Sequence, residues 1–191
     1  PSGWLLGQRN LNKKKINLNF QFLSEDMKIF FKTVVGIGVV LLVSVGGLHF
    51  YGLQNLSEYE LNHFTTVKTS EYSTTLDRGR HLATISGCNG CHGGNYQGMD
   101  FINEAPIGYV PAPNLTPAGP VANYTDDDWV KAIRHGIAKD GRVMVIMPSN
   151  HYSAYGDDDL AELISYLKKI PAVENKFSSR DIQFPGSIIF G

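Results

Sequence analysis

One long apolar run near the start of the chain interrupts an otherwise mixed pattern of hydrophobic and polar residues. From Thr33 to Ser57 no Asp, Glu, Lys or Arg appears, and the middle of the run reads VVGIGVVLLVSVGGLHFY. An α-helix rises about 1.5 Å per residue, so roughly 20 apolar residues cross the hydrocarbon core of a bilayer. The pattern predicts a transmembrane helix over residues 29–53.

Three later segments have the spacing of amphipathic helices. The first runs over Leu76–Gly87, and the second, Thr125–Ile137, opens with the capping-box pattern TDDD. The third opens on the acidic triplet DDD, which suits the positive end of a helix dipole, and it ends before Pro171. Its apolar residues recur at the i, i+3, i+4 and i+7 positions of one face: Leu160, Leu163, Ile164 and Leu167.

Residues 91–120, between the first two of these helices, form a long stretch that is rich in Gly and Pro. A connection of this length is unusual in a small domain, so we expect a group other than the protein core to order it. The sequence has no strand-rich run and no internal repeat. The predicted fold class is therefore all-α, with three or more helices behind a single N-terminal membrane helix and a linker over residues 54–74.

Composition and charge exclude several functional classes. The 191 residues include 17 basic and 18 acidic side chains, a balance that does not fit a basic nucleic-acid-binding protein. Two cysteines are too few for a disulfide-rich scaffold or a four-cysteine metal site. We expect no nucleic-acid partner, and a hydrophobic fraction of 42% is sufficient for a globular core.

The charges that flank the apolar run indicate its orientation in a membrane. Six basic residues precede the run, whereas the next one after it is Lys68. Because cytoplasmic flanks carry the excess of Lys and Arg, residues 1–28 are predicted to be cytoplasmic. The rest is then expected on the periplasmic side of the inner membrane. Met27-Lys28 has the pattern of a natural start, which favours residues 1–26 being non-native.

Two other interpretations of the apolar run are open from the sequence. A cleaved signal peptide also has a basic start and an apolar middle, but this run is longer than a usual signal core and no A-x-A site follows it. A buried core helix would rarely extend this far without a charge. We expect the run to be retained as an anchor that crosses the lipid bilayer once.

Cys88 and Cys91 are separated by two residues and followed at once by His92, in the motif CNGCH. This spacing allows both thiols to join the two vinyl groups of one haem while the imidazole binds its iron. A zinc site would need a second ligand pair, and a thioredoxin-like dithiol would need a βαβ context. The motif therefore predicts one covalently bound haem c, with His92 as an iron ligand.

The second axial ligand of the iron has several candidates among the methionines and histidines. They are Met99, Met144, Met147, His135 and His151. Met99 lies only seven residues after His92, which leaves hardly enough chain to reach the opposite face of a haem. Met144 and Met147 lie between the second and third helices, in GRVMVIMPSN. Pro148 fixes the backbone beside Met147 and favours that residue, although either methionine could simply pack in the core.

Residues from about 75 to 171 resemble a class I cytochrome c. The resemblance is carried by RGRHLATISGCNGCHGG, PAPNLTP, TDDDWVKAIRHGIAKDGRVMVIMP and DDDLAELISYLKKIP. These segments are similar to monohaem cytochrome modules and subunits of bacterial membrane dehydrogenases and respiratory chains. The resemblance implies a class I cytochrome c domain over residues 75–171, followed by an extended tail over 172–191.

The resemblance also implies roles for individual residues. The distal methionine of the family falls on Met147, and the proline carbonyl that accepts a hydrogen bond from the proximal imidazole falls on Pro113. The leucine that packs on the haem face would be Leu115. The first and last helices of the domain would cross where Gly79 meets Tyr166.

Together these features predict an electron carrier rather than an enzyme: a membrane-tethered monohaem cytochrome c that serves membrane or periplasmic redox proteins. Two alternatives are open. One is a fixed cytochrome c subunit of a larger dehydrogenase, oxidase or other respiratory or photosynthetic complex. The other is a haem sensor or peroxidase-like protein with an open sixth site. The apolar residues 188–190 in the tail favour either docking on a partner or a truncated chain.

Overall fold

The computed structural model describes residues 2–56 and 59–191, with side chains from Glu25 onward. Most of the predicted cytoplasmic segment 1–28 therefore lies outside the residues whose side chains are described, as does the linker residue Glu58. The chain divides into two compact units, one ending at Leu48 and the other running over His49–Gly191.

A single long helix, α1 (Ser2–Asn55), contains the apolar run. Within it, the stretch Glu25–Asn55 is long and apolar enough to cross a bilayer: an 18-residue window of it has a mean hydropathy of 2.3, and none of that window is buried. A core helix would bury at least one face, so this exposed surface argues against the buried-core interpretation. The predicted anchor over residues 29–53 falls inside this candidate membrane span.

Short helices follow one another along the second unit, and a 3-10 turn at Thr69–Glu71 precedes them. They are α2 (Leu76–Ile85), α3 (Cys88–Cys91), α4 (Asp126–His135), α5 (Ser149–Tyr152), α6 (Asp157–Leu167) and α7 (Gly186–Phe190). The three helices predicted from the hydrophobic pattern correspond to α2, α4 and α6.

Helix α4 begins and ends where its sequence signals place it. Oγ1 of Thr125 accepts a hydrogen bond from the backbone N of Asp128 (3.2 Å), and the Asp128 carboxylate accepts one from the backbone N of Thr125 (2.9 Å). These two bonds complete the predicted capping box. Gly136 follows the helix with a φ of 66°, a left-handed conformation that glycine adopts without steric cost.

Helices α2 and α6 cross in close contact where Gly79 meets Tyr166, which confirms this expectation from the resemblance. A Cβ atom on Gly79 would overlap the backbone carbonyl oxygen of Glu162 and the Cβ atom of Tyr166. A residue without a side chain is needed for this approach. Apolar residues of α2, α4 and α6 form the centre of the core: Leu82, Ala83, Trp129, Val130, Ile133, Leu160, Leu163 and Ile164.

The prediction of an all-α fold is not confirmed, because three antiparallel strands accompany the helices. Strands β1 (Met99–Glu104) and β2 (Gly108–Ala112) form a hairpin, and β3 (Asp181–Ile182) pairs with the other side of β2. The pairing of β1 with β2 shifts register between Asp100 and Ile102. Most side chains of β1 are exposed, so the hairpin lacks the hydrophobic alternation by which strands are predicted.

Candidate haem-binding site

The CNGCH motif forms its own short helix directly after α2. Gly87 takes a left-handed conformation (φ 74°), and α3 starts at the next residue. The backbone N of His92 donates to the carbonyl oxygen of Cys88 at 2.8 Å, so one helical turn carries both thiols and ends at the imidazole. Cys91 is exposed, whereas Cys88 packs against the core. Burial raises the pKa of the Cys88 thiol to about 11.

One hydrogen bond fixes the imidazole of His92. Its Nδ1 atom lies 2.8 Å from the carbonyl oxygen of Pro113. Because a carbonyl only accepts, Nδ1 carries the proton and donates, and the Nε2 lone pair stays available to a metal ion. Burial lowers the pKa of His92, and the Pro113 carbonyl opposes this shift. The ring is therefore a neutral ligand with a defined orientation.

The segment that carries Pro113 is anchored by the next two residues. Asn114 is 1% exposed, and its Nδ2 donates to the carbonyl oxygen of Val173 at 2.8 Å. The backbone N of Leu115 donates to the carbonyl oxygen of Tyr96 (2.8 Å), and the Leu115 side chain is buried in the core. Sequence reasoning missed Asn114, because its partner lies 59 residues away in the tail.

Met147 packs against the same apolar core as Cys88. Met144 is also partly buried, and its backbone N donates to the carbonyl oxygen of Gly136 at 2.7 Å. The remaining sequence candidates, Met99, His135 and His151, are all exposed. Because Met147 and Cys88 pack against the same core, Met147 is favoured as the methionine ligand of the site.

Arg180 connects the loop before Met147 to the segment that follows α1. Its Nη1 donates to the carbonyl oxygen of Val143 (2.7 Å), and its Nη2 donates to the carbonyl oxygen of Leu56 (2.9 Å). Burial, with a smaller contribution from the charge of Arg142, lowers the pKa of Arg180. No local pattern in the sequence predicts this residue, because both of its partners are backbone atoms distant along the chain.

A group of tyrosines beside α3 was also not predicted. Oη of Tyr152 donates to the carbonyl oxygen of Ser86 (2.8 Å), and Oη of Tyr155 lies 2.6 Å from Oγ of Ser86. Burial raises the pKa of Tyr152 to about 12. Arg134 donates to the carbonyl oxygen of Tyr155 (2.7 Å) and pairs with Asp157 (2.6 Å). These bonds join the end of α2 to α5 and to the start of α6.

The donor set fits a covalently bound haem. Two thiols on one helical turn are followed by an imidazole of defined tautomer, and a thioether packs on the same core. These are the groups by which c-type haem is attached and ligated. Among the side chains that the structure describes, no three His, Cys, Asp or Glu residues are grouped to hold a metal ion, so a zinc site has no ligand set there.

Comparison with known families gives the class of the domain. Residues 74–167 match the family described as cytochrome c oxidase, cbb3-type, subunit III. The match identifies this part of the chain as a cytochrome c domain, and cytochrome c domains bind haem.

Curated proteins similar to this chain are cytochrome subunits of bacterial dehydrogenases. The fructose dehydrogenase cytochrome subunit of Gluconobacter japonicus is 29% identical over 127 residues, which cover 62% of this chain and 26% of that protein. The alcohol dehydrogenase (quinone) cytochrome c subunit of Gluconobacter oxydans (strain 621H) is 31% identical over 176 residues, with coverages of 87% and 32%. The gluconate 2-dehydrogenase cytochrome c subunit of Pantoea cypripedii is 32% identical over 120 residues, with coverages of 59% and 27%. The chain thus spans about a quarter to a third of the length of these relatives.

Proposed function

We propose that this chain is a membrane-tethered monohaem cytochrome c that passes single electrons between membrane or periplasmic redox proteins. The observation that carries the proposal is the CNGCH turn with His92 Nδ1 2.8 Å from the carbonyl oxygen of Pro113. A bond of this kind fixes the ring of a metal-binding histidine and increases its basicity. The cytochrome c match over residues 74–167 supports the same function.

Each site residue has a distinct role in this proposal. Cys88 and Cys91 would attach one haem c through thioether bonds, and Nε2 of His92 would bind its iron. Met147 would provide the sulfur ligand. A methionine ligand raises the reduction potential, and it also closes the sixth site to external ligands. Leu115 contributes to the apolar wall of the haem pocket.

The bound haem iron supplies the one-electron chemistry by changing between its ferric and ferrous states. The polypeptide makes and breaks no bond of a substrate. Because His92 is neutral and its orientation is set by Pro113, the imidazole would bind ferric or ferrous iron in the same protonation state and orientation. Packing around Cys88 and Met147 keeps this part of the site apolar.

Membrane attachment is the second part of the proposal. The candidate span Glu25–Asn55 supports a single-pass anchor, and the six basic residues that precede the apolar run support a periplasmic haem domain at the inner membrane. Residues 70–191 carry 10 basic and 14 acidic side chains, so the composition does not favour steering by a basic face. A tether instead raises the effective concentration of the domain near partners in the same membrane.

A fixed subunit of a dehydrogenase complex is the second candidate function. It is favoured by the relatives, whose names describe cytochrome subunits of fructose, alcohol and gluconate dehydrogenases. Isolation of the native protein in mild detergent separates the two candidates. A catalytic polypeptide that co-purifies at constant stoichiometry supports the subunit, and a haem protein that migrates alone supports the mobile carrier.

Replacement of Met147 by alanine tests the ligand assignment, and the matched control is Met144→Ala. We expect the Met147 variant alone to lose the sulfur-to-ferric-iron charge-transfer band, to show a lower reduction potential and to bind CO at neutral pH. If the Met144 variant shows these changes instead, the assignment is wrong. Rapid CO binding by the unaltered reduced protein would support a sensor or peroxidase-like function.

Covalent attachment is tested independently of the sixth ligand. The denatured polypeptide is extracted with acid acetone, and the haem that stays with the protein is quantified against protein concentration. One haem per chain is expected. A colourless polypeptide after extraction would contradict the proposed haem c.

A further inference from the structure

The C-terminal helix α7 is packed against the last turns of α1. Ser187 is fully buried, and its Oγ lies 2.5 Å from Nδ1 of His49. A Cβ atom on Gly52 would overlap the carbonyl oxygen of Ser187, so the two backbones are in direct contact there. Further along α1, Nδ2 of Asn55 donates to the carbonyl oxygen of Gly191 at 3.1 Å.

These contacts place α7 alongside α1 rather than beyond its end. From His49 to Asn55 the helix rises about 9 Å, at about 1.5 Å per residue. The same two turns are the last part of the candidate span Glu25–Asn55. Phe184 extends the contact, because its ring meets the ring of His49 edge to face, with centroids 5.9 Å apart.

The surface formed by these two elements is mainly apolar and contains no Asp, Glu, Lys or Arg. From Ile182 to Gly191 no residue carries a charge. Large hydrophobic side chains are exposed on both elements. They are Phe50, Tyr51 and Leu53 in the last turns of α1, and Phe184, Ile188 and Ile189 in and just before α7. Exposed apolar patches of this kind mark interaction sites.

We propose that α7 and Phe184 lie in the outer interfacial layer of the same bilayer that α1 crosses, at the level of residues 49–55. The inference rests on the membrane anchor of the proposed function. Continuity with the span favours lipid as the occupant of this surface, and aromatic residues such as Phe50 and Tyr51 suit the headgroup region. An aqueous protein partner would more commonly meet a surface with a charged rim.

Insertion of α7 would restrict how the cytochrome c domain is oriented. The same tail pairs with β2 through β3, and Arg180 bonds to Val143 and Leu56. A tail held at the membrane surface therefore limits rotation of the domain about its tether. One consistent face of the haem domain would then be presented to redox partners in the membrane.

Site-directed spin labelling of the full haem-loaded chain tests this inference. Single cysteines replace Ile189, Ile85 and Val40, whose exposures are similar at 63%, 63% and 64%. Each labelled protein is placed in nanodiscs of phosphatidylethanolamine and phosphatidylglycerol with the haem kept oxidised, and the same sample under N₂ serves as the reference that removes the constant contribution of the haem to relaxation. Power saturation then measures how accessible the nitroxide is to O₂, which concentrates in lipid, and to a nickel chelate, which stays in water.

We expect the labels at positions 189 and 40 to be accessible to O₂ and to lose accessibility to the nickel chelate, whereas the label at position 85 on α2 remains accessible to the chelate. If position 40 is in lipid but position 189 is as accessible to the chelate as position 85, the inference is wrong and the anchor stands. If position 189 is shielded from both reagents, protein rather than lipid covers the surface, which also overturns the inference. Chelate access at position 40 would overturn the anchor itself.

Discussion

The buried side-chain amide of Asn114 donates a hydrogen bond to the carbonyl oxygen of Val173 at 2.8 Å. Oδ1 of the same side chain accepts from the backbone N of Thr116 at 2.9 Å. The segment that carries Pro113 is therefore attached to the chain that follows α6. The orientation of His92, which depends on the Pro113 carbonyl, is set in part by residues outside its own helix.

Replacement of Asn114 by alanine should lower the free energy of unfolding by about 2–3 kcal/mol, because the buried backbone N of Thr116 loses its acceptor and the carbonyl oxygen of Val173 loses one of its donors. Denaturant unfolding of the haem-loaded protein measures the effect. Asn103→Ala, at an exposed position of β1, is the control and should change stability by less than about 0.5 kcal/mol. Equal effects of the two substitutions would contradict the importance of the Val173 bond.

Addition of one methyl group at the crossing of α2 and α6 should be costly. In Gly79→Ala the new Cβ meets the backbone of Glu162, which cannot move aside as a flexible side chain can. Overpacking of this kind costs about 1–3 kcal/mol, more than the roughly 1 kcal/mol gained from helix propensity. Thermal unfolding of Gly79→Ala and of Gly94→Ala, where a Cβ meets nothing within 4 Å, provides the comparison. A Gly79→Ala protein as stable as the parent would refute the close contact.

Asp126 should make stability depend on pH in the acid range. Burial acts to raise its pKa, but hydrogen bonds from Lys168 (2.7 Å) and from Thr69 (2.8 Å) outweigh it and hold the pKa below the ordinary value of 3.8. Because the folded pKa is lowered, the stabilisation is present above 3.8 and is lost as the pH falls through the folded pKa.

Unfolding of Asp126→Asn, measured from pH 7 down to pH 2, checks this prediction. The variant should be about 1–2 kcal/mol less stable than the parent at pH 7, and the difference should shrink below pH 4. Asp158→Asn, which replaces an exposed acid in the first turn of α6, is the control. If the difference in unfolding free energy between Asp126→Asn and the parent stays constant with pH, ionisation of Asp126 is not the cause of the pH dependence.

Loss of the Arg180 side chain should loosen the loop that contains Met147. Arg180→Ala removes both bonds to the carbonyl oxygens of Val143 and Leu56, which are worth about 1.5–3 kcal/mol each when the donor is charged. Amide hydrogen exchange of peptides that cover residues 141–148 should become faster. Lys176→Ala, an exposed substitution in the same tail, should leave this exchange unchanged. Unaltered exchange in Arg180→Ala would show that other contacts hold the loop.

Local signals in the sequence were sufficient for α2, α4 and α6, but not for the short helices α5 and α7. The TDDD pattern predicted the capping box of Thr125 and Asp128, and the apolar stripe and Pro171 predicted α6. Local signals could not predict the crossing at Gly79, because the need for a small residue there comes from contact with α6. The resemblance to a known family predicted it instead. The CNGCH motif lies in five consecutive residues, so the haem-binding site could be predicted without knowledge of the tertiary structure.

The missed features depend on distant residues. Strand β1 is largely exposed, and β2 contains Gly108 and Pro111, so hydrophobic alternation could not reveal the hairpin. Asn114 and Arg180 bind backbone carbonyls that no side-chain pattern encodes. The tail was predicted only as an extended segment, because β3 is two residues long and its pairing partner Gly108–Ala112 lies far earlier in the chain.

Strand β1 is an edge of the sheet, since the strand order is β1-β2-β3. An edge with free backbone groups is a template on which other chains can aggregate. Here the register shift between Asp100 and Ile102 breaks the regular ladder, and Asp100 and Glu104 place negative charge along the strand. If the β1 strands of two molecules met, their backbone hydrogen-bonding groups would be out of register and their carboxylates would repel each other. The edge formed by β1 can therefore stay exposed without starting intermolecular β-sheet formation.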